Sequence, residues 1–85
     1  MKRIGVIGIV VSGDRAVTTQ MQSILSEYGD IIVGRMGVPL PEKNISALSV
    51  IVSGCNERIT ALSGKLGRLN NINVKSALTS IELED

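Results

Sequence analysis

The run Ile4-Gly5-Val6-Ile7-Gly8-Ile9-Val10-Val11 is rich in β-branched residues, punctuated by glycine and free of charge, a composition that reads as a β-strand. Side chains alternate across a strand, which sets Ile4, Val6 and Val10 on one face and Ile7, Ile9 and Val11 on the other. Both faces are apolar, so this strand is predicted to be central. Lys2-Arg3 ahead of it mimics the basic start of a signal peptide. Gly13-Asp14-Arg15 stands where a small-residue cleavage site would be, and the run is read as structure rather than as an export signal.

Downstream of the strand, Ser12-Gly13-Asp14 predicts a turn with Asp14 as a helix N-cap. Val17, Met21, Ile24, Leu25 and Tyr28 then recur at helical spacing up to Gly29. Ile31 to Met36 reads as a second strand, and Gly37 to Asn44, with Pro39 and Pro41, as a loop. Ile45 to Val52 is a third strand, and Ser53-Gly54-Cys55-Asn56 a second turn. Ile59, Leu62, Leu66 and Leu69 form the next helical stripe, closed by Asn70-Asn71, with Lys65 and Arg68 near its C-terminal end. Ile72 to about Thr79 is the last strand, and Ser80 to Asp85 an acidic tail expected to fray.

The order βαββαβ in two similar halves is the split βαβ pattern of the ferredoxin-like superfold. The predicted class is α+β: a four-stranded antiparallel sheet with two helices on one face, in a single domain over residues 1–85. The second face of the sheet is then left without cover although the central strand is apolar on both sides. Exposed apolar patches of this kind mark interfaces. Homo-oligomerisation through the sheet, as a dimer or tetramer, is therefore expected. Composition adds to this. Tyr28 is the one aromatic residue of 85, with no Phe and no Trp, so the core is aliphatic and gains from covering further apolar surface in an assembly.

Charge and residue inventory exclude several function classes. Nine basic and eight acidic side chains leave a formal charge of +1, which supplies no field to steer nucleic acid. No basic stripe or stacking aromatics are present, and strand one begins at Ile4 with no room ahead of it for a ribbon-helix-helix segment, so direct nucleic-acid binding is not expected. With no long uncharged span, neither is membrane insertion. A chain without histidine builds no His triad and none of the commonest metal sites. Neither a cofactor nor a metal site is expected, and the chain is not read as an enzyme. Cys55 is the single cysteine. It favours a reducing, cytoplasmic setting and reads as a small residue closing a strand-helix turn rather than as a reactive thiol.

Two places carry polar groups suited to binding. At Ser12-Gly13-Asp14-Arg15, backbone N–H groups at a helix start and a nearby guanidinium could hold a small anion; the plainer reading is a capped turn with a solvated arginine. At Gly34-Arg35-Met36-Gly37, Arg35 could meet a ligand or a neighbouring subunit; the plainer reading is an edge strand with its terminating turn. Small acyl-phosphate hydrolases share the fold and use an arginine in the first turn. Their glycine-rich turn and catalytic asparagine setting have no counterpart in this sequence, which leaves a small acyl-phosphate-type hydrolase as the third reading, behind a regulator and an adaptor.

Arg3-Ile4-Gly5-Val6-Ile7-Gly8-Ile9-Val10-Val11, Tyr28-Gly29-Asp30-Ile31-Ile32-Val33-Gly34-Arg35-Met36-Gly37 and Leu48-Ser49-Val50-Ile51-Val52 together resemble the iron-only hydrogenase system regulators, over about Lys2 to Thr79. The resemblance implies an ACT-like regulatory domain, similar in fold to the C-terminal half of nickel-responsive repressors, that acts on transcription or maturation through a partner. The metal-binding histidines of those repressors are missing, so nickel sensing is not implied. ACT-like domains bind effectors at subunit interfaces near the first strand-helix turn, which points to Ser12, Gly13, Asp14 and Arg15, with Arg35 second. The competing expectation is an adaptor that docks a larger protein partner without a small ligand.

Overall fold

The computed structural model describes residues 2–13 and 15–83. The chain runs β1 (Lys2–Ser12), α1 (Arg15–Glu27), β2 (Ile32–Leu40), β3 (Ile45–Gly54), α2 (Asn56–Gly67) and β4 (Ile72–Leu83), with a 3-10 turn at Pro41–Lys43 between β2 and β3. The strands form one antiparallel sheet in the order β2-β3-β1-β4. The strand with two apolar faces is thus an interior one, as predicted.

The alternation of β1 decides what each face does. Ile7, Ile9 and Val11 are buried to 2% exposure or less, while Val6 and Val10 on the other side remain about two-fifths exposed, at 40% and 43%. The buried set packs with Val50 and Val52 of β3, Val17, Met21 and Leu25 of α1, and Ile59, Leu62 and Leu66 of α2. This is the aliphatic core expected from the composition, placed between the sheet and the two helices.

Three boundaries differ from the sequence reading. β2 continues through Gly37, Val38 and Pro39 to Leu40, and the predicted eight-residue loop contracts to a short connection. Pro39 did not end the strand because β2 lies at the sheet edge, where a missing N–H is tolerated. The connection closes with Asn44 in the left-handed region (φ 55) donating its N–H to the Pro41 carbonyl at 3.1 Å. β3 also gains Ser53 and Gly54, paired with Ile4 and Arg3.

The larger correction is at the last strand. β4 does not fray after Thr79; it continues to Leu83. Gly5 pairs with Leu78 but Arg3 with Glu82, so residues 79–81 bulge out of register. The Thr79 hydroxyl donates to the Ile4 carbonyl at 2.7 Å, and Arg3 and Glu82 form an ion pair at 3.3 Å. The first residues of β1 offered a backbone partner, which tail composition alone does not reveal. Glu84 and Asp85 lie outside the described residues.

Candidate functional site

Three connections meet at one end of the sheet: β1–α1, β2–β3 and α2–β4. Each takes a left-handed residue, Gly13 (φ 85), Asn44 (φ 55) and Asn71 (φ 60), residue types for which that conformation costs least. The connections are tied to one another. The Gly13 N–H donates to the Asn44 carbonyl at 2.8 Å, and the Ser12 N–H to the Asn71 carbonyl at 2.9 Å. The Ser12 hydroxyl also reaches the Asn71 carbonyl, at 3.5 Å.

These bonds change what the turn offers. The backbone donors of Ser12 and Gly13, expected to face a ligand, are spent inside the fold. The exposed Ser12 hydroxyl and the exposed Arg15 side chain at the start of α1 remain as polar groups at this end. The Arg15 carbonyl accepts the Thr19 hydroxyl at 3.0 Å, one turn along the helix. The Asp14 N-cap lies outside the described residues.

Arg35 is placed elsewhere. It sits on the helix-covered face of β2, opposite the buried Val50, and donates to Gln22 Oε1 of α1 at 2.6 Å. Gln22 is seven residues beyond Arg15, about 10 Å along the helix axis. The two arginines therefore flank α1 at different heights. Arg35 borders a depression of about 260 Å³ between α1 and the β2–β3 hairpin, with Thr18, Gln22, Pro39 and Leu48 among its lining.

The opposite end of the molecule holds a cluster that the sequence reading missed. The Arg58 guanidinium of α2 is bound by the Asp30 carboxylate through both nitrogens, one contact at 3.1 Å, and lies 5.2 Å from the centre of the Tyr28 ring. Lys65 approaches the same ring at 5.3 Å and bonds Glu27 at 2.6 Å. The hydrogen bond from Arg58 holds the Asp30 carboxyl below the usual carboxylate range, and Asp30 in turn raises Arg58. Glu27, with a second contribution from Tyr28, raises Lys65. The available signal was spacing: Arg58 and Lys65 stand seven residues apart, on one helix face. Beside this cluster lies an open depression of about 260 Å³ bordered by Lys2, Asp30, Cys55 and Arg58. Cys55 is half-buried at the N-cap of α2, and its side chain makes no capping bond.

Chemically, the first end presents the Arg15 guanidinium, a group suited to a carboxylate or phosphate, while the Ser12 hydroxyl is turned to the Asn71 carbonyl. The second end presents cations already matched by carboxylates. Among the described residues, no three His, Cys, Asp or Glu side chains converge as a metal site would require, and no helix is long and apolar enough to cross a membrane.

Comparison with known proteins fits this architecture. The TM1266-like family, described as "Iron-only hydrogenase system regulator, putative", matches residues 3–76. The chain belongs to this family. Its solved structures include protein TM1266 from Thermotoga maritima, which is 31% identical and superposes with a TM-score of 0.90 over 92% of this chain and 98% of that one. The ACT domain of the GTP pyrophosphokinase of Chlorobium tepidum has the same fold, at 18% identity and a TM-score of 0.76, covering 91% of this chain and all of that domain. An "unknown protein" from Galdieria sulphuraria matches at 14% identity and a TM-score of 0.71, over 100% of this chain and 49% of that chain. No curated protein matches the sequence. The TM1266-like chain thus has an ACT-like, ferredoxin-like fold.

Proposed function

We propose that this TM1266-like domain is a non-enzymatic cytoplasmic regulator that self-associates through its sheet and senses a small anionic effector. The effector binds beside the β1–α1 turn formed by Ser12, Gly13, Asp14 and Arg15, where the Arg15 side chain supplies the principal contact, with Arg35 as a second contact from the flank of α1. The output passes to the transcription or maturation of an iron-only hydrogenase system through a protein partner, in keeping with the family description. The observation that carries the reading is Arg15: an exposed guanidinium at the first residue of α1, directly after the β1–α1 turn, on a domain of regulatory family. A guanidinium at a helix start favours carboxylates and phosphates over neutral ligands.

One observation favours a second reading, an adaptor with no small ligand. The Ser12 and Gly13 N–H groups are engaged by the Asn71 and Asn44 carbonyls, and Arg35 is engaged by Gln22, which leaves fewer donors for an effector than the turn suggests.

Native mass spectrometry of freshly purified protein separates the two. An oligomer that retains added mass, lost in Arg15→Ala and weakened several-fold in Arg35→Ala, is the expected result. Retained ligand that binds both variants as it binds the wild type overturns the assignment of the site. An oligomer without added mass, captured with a stable protein partner, leaves the adaptor.

A further inference from the structure

The sheet surface turned away from the helices is an ordered relief. Register aligns its side chains into rows across the strands: Gly34, Ile51, Val6 and Ala77; then Met36, Ser49, Gly8 and Lys75; then Val38, Ala47, Val10 and Asn73. Ile51 and Val6 make a ridge at the centre of the first row. Ser49 and Gly8 make a trough at the centre of the second. Six of the nine exposed large hydrophobic residues among the described ones lie on this surface: Val6, Val10, Met36, Val38, Leu40 and Ile51. Between the Ile4–Ser53 row and the Ser12–Ile45 row, Lys75 is the single charged residue of this face, at the β4 rim where its amine can reach water.

We propose that this face packs on the same face of a second copy, with the Ile51–Val6 ridge of each subunit seated in the Ser49–Gly8 trough of the other. The proposal rests on the self-association stated above and specifies the surface and its register. A two-fold axis between the sheets, parallel to the rows and midway between ridge and trough, brings each ridge over the opposing trough. One axis satisfies both contacts, as an isologous interface requires.

Size supports a second copy as the occupant. The paired positions of this face number seventeen, and at about 6.8 by 4.8 Å each they cover roughly 550 Å² on each copy and 1,100 Å² for the pair. That reaches the area a specific interface needs. Charge supports it as well, because a face with one rim lysine offers nothing to recognise an acidic or basic partner, while two such faces meet without opposing charges at their centres.

Gly8 gives the sharpest test. A Cβ built there meets only the Lys75 carbonyl oxygen, at 3.8 Å, so Gly8→Val is accommodated within a subunit and fills the trough between subunits. Ile51→Lys places a charge on the ridge. Sedimentation velocity of the wild type, both variants and Ala61→Lys, at an exposed position of α2, as an off-face control, with circular dichroism to follow folding, reads the outcome. The wild type and the control are expected to sediment as a dimer or larger. Each face variant is expected to fall to a species of half the size, with at least tenfold weaker association and unchanged circular dichroism.

An oligomer that persists undiminished in both face variants overturns this interface while leaving self-association standing. A monomeric wild type overturns both. If a variant loses its fold, methyl NMR of the wild type with a soluble paramagnetic agent decides. Protection of Val6, Val10 and Ile51 methyls supports the packing, and relaxation as strong as that of the exposed Ala61 methyl on α2 overturns it.

Discussion

At the level of single residues, the glycines divide by what surrounds them rather than by sequence context. Gly54 ends β3 beneath Ile31, and a Cβ there would lie 3.0 Å from Ile31 Cγ2 and 3.3 Å from its Cβ. Ile31 is itself buried, at 6% exposure, so it cannot swing aside without cost. Gly54→Ala is therefore expected to destabilise the fold by about 1–3 kcal/mol, an overpacking cost, measurable as a lower midpoint in urea with an unchanged slope. The sequence could place Gly54 in a strand-helix turn but could not reveal Ile31 above it, because the contact joins segments 23 residues apart. The same limit applied to Arg35. Its position at a strand was legible, whereas its bond to Gln22 depends on how α1 lies across the sheet.

The elements were legible where periodicity was strong and less so where partners decide. β1, α1 and α2 emerged from alternation and helical spacing because one-sided burial imposes those periods directly. The ends of β2 and β4 depended instead on whether a neighbouring strand was there to pair, which no local pattern encodes. The Asp30–Arg58 bond joins α2 to the turn before β2 and gives these elements a pH response. Asp30 titrates below its unfolded value of about 3.9, because Arg58 bonds its charged form. Its contribution is therefore fully present above the unfolded value and is lost as pH falls through the lower folded value. Thermal melts from pH 6 to pH 2 should show a loss of stability on acidification that is partly flattened in Asp30→Asn. Both side chains are well exposed, at 62% and 41%, so salt should weaken the effect.

For the whole molecule, the fold class followed from element order and the uncovered face from a strand apolar on both sides. The site was legible only as a set of residue types; what it lacked was the knowledge that the turn donors are used internally. If the open face is covered by a second subunit, folding is coupled to association and the apparent melting temperature rises with concentration. Scanning calorimetry over a hundredfold concentration range should show a rise of several degrees in the wild type and almost none in Ile51→Lys. A concentration-independent transition in the wild type would mean that the sheet face is tolerated in water.

Tyr28 is wedged where the two helices close, between Arg58 and Lys65, and the chain has neither Trp nor Phe. All of its tyrosine-band absorbance and emission, and its near-ultraviolet aromatic dichroism, arise at that one junction. The protein therefore carries a built-in optical reporter confined to the helical layer, blind to events on the far side of the sheet except as they are transmitted through the core.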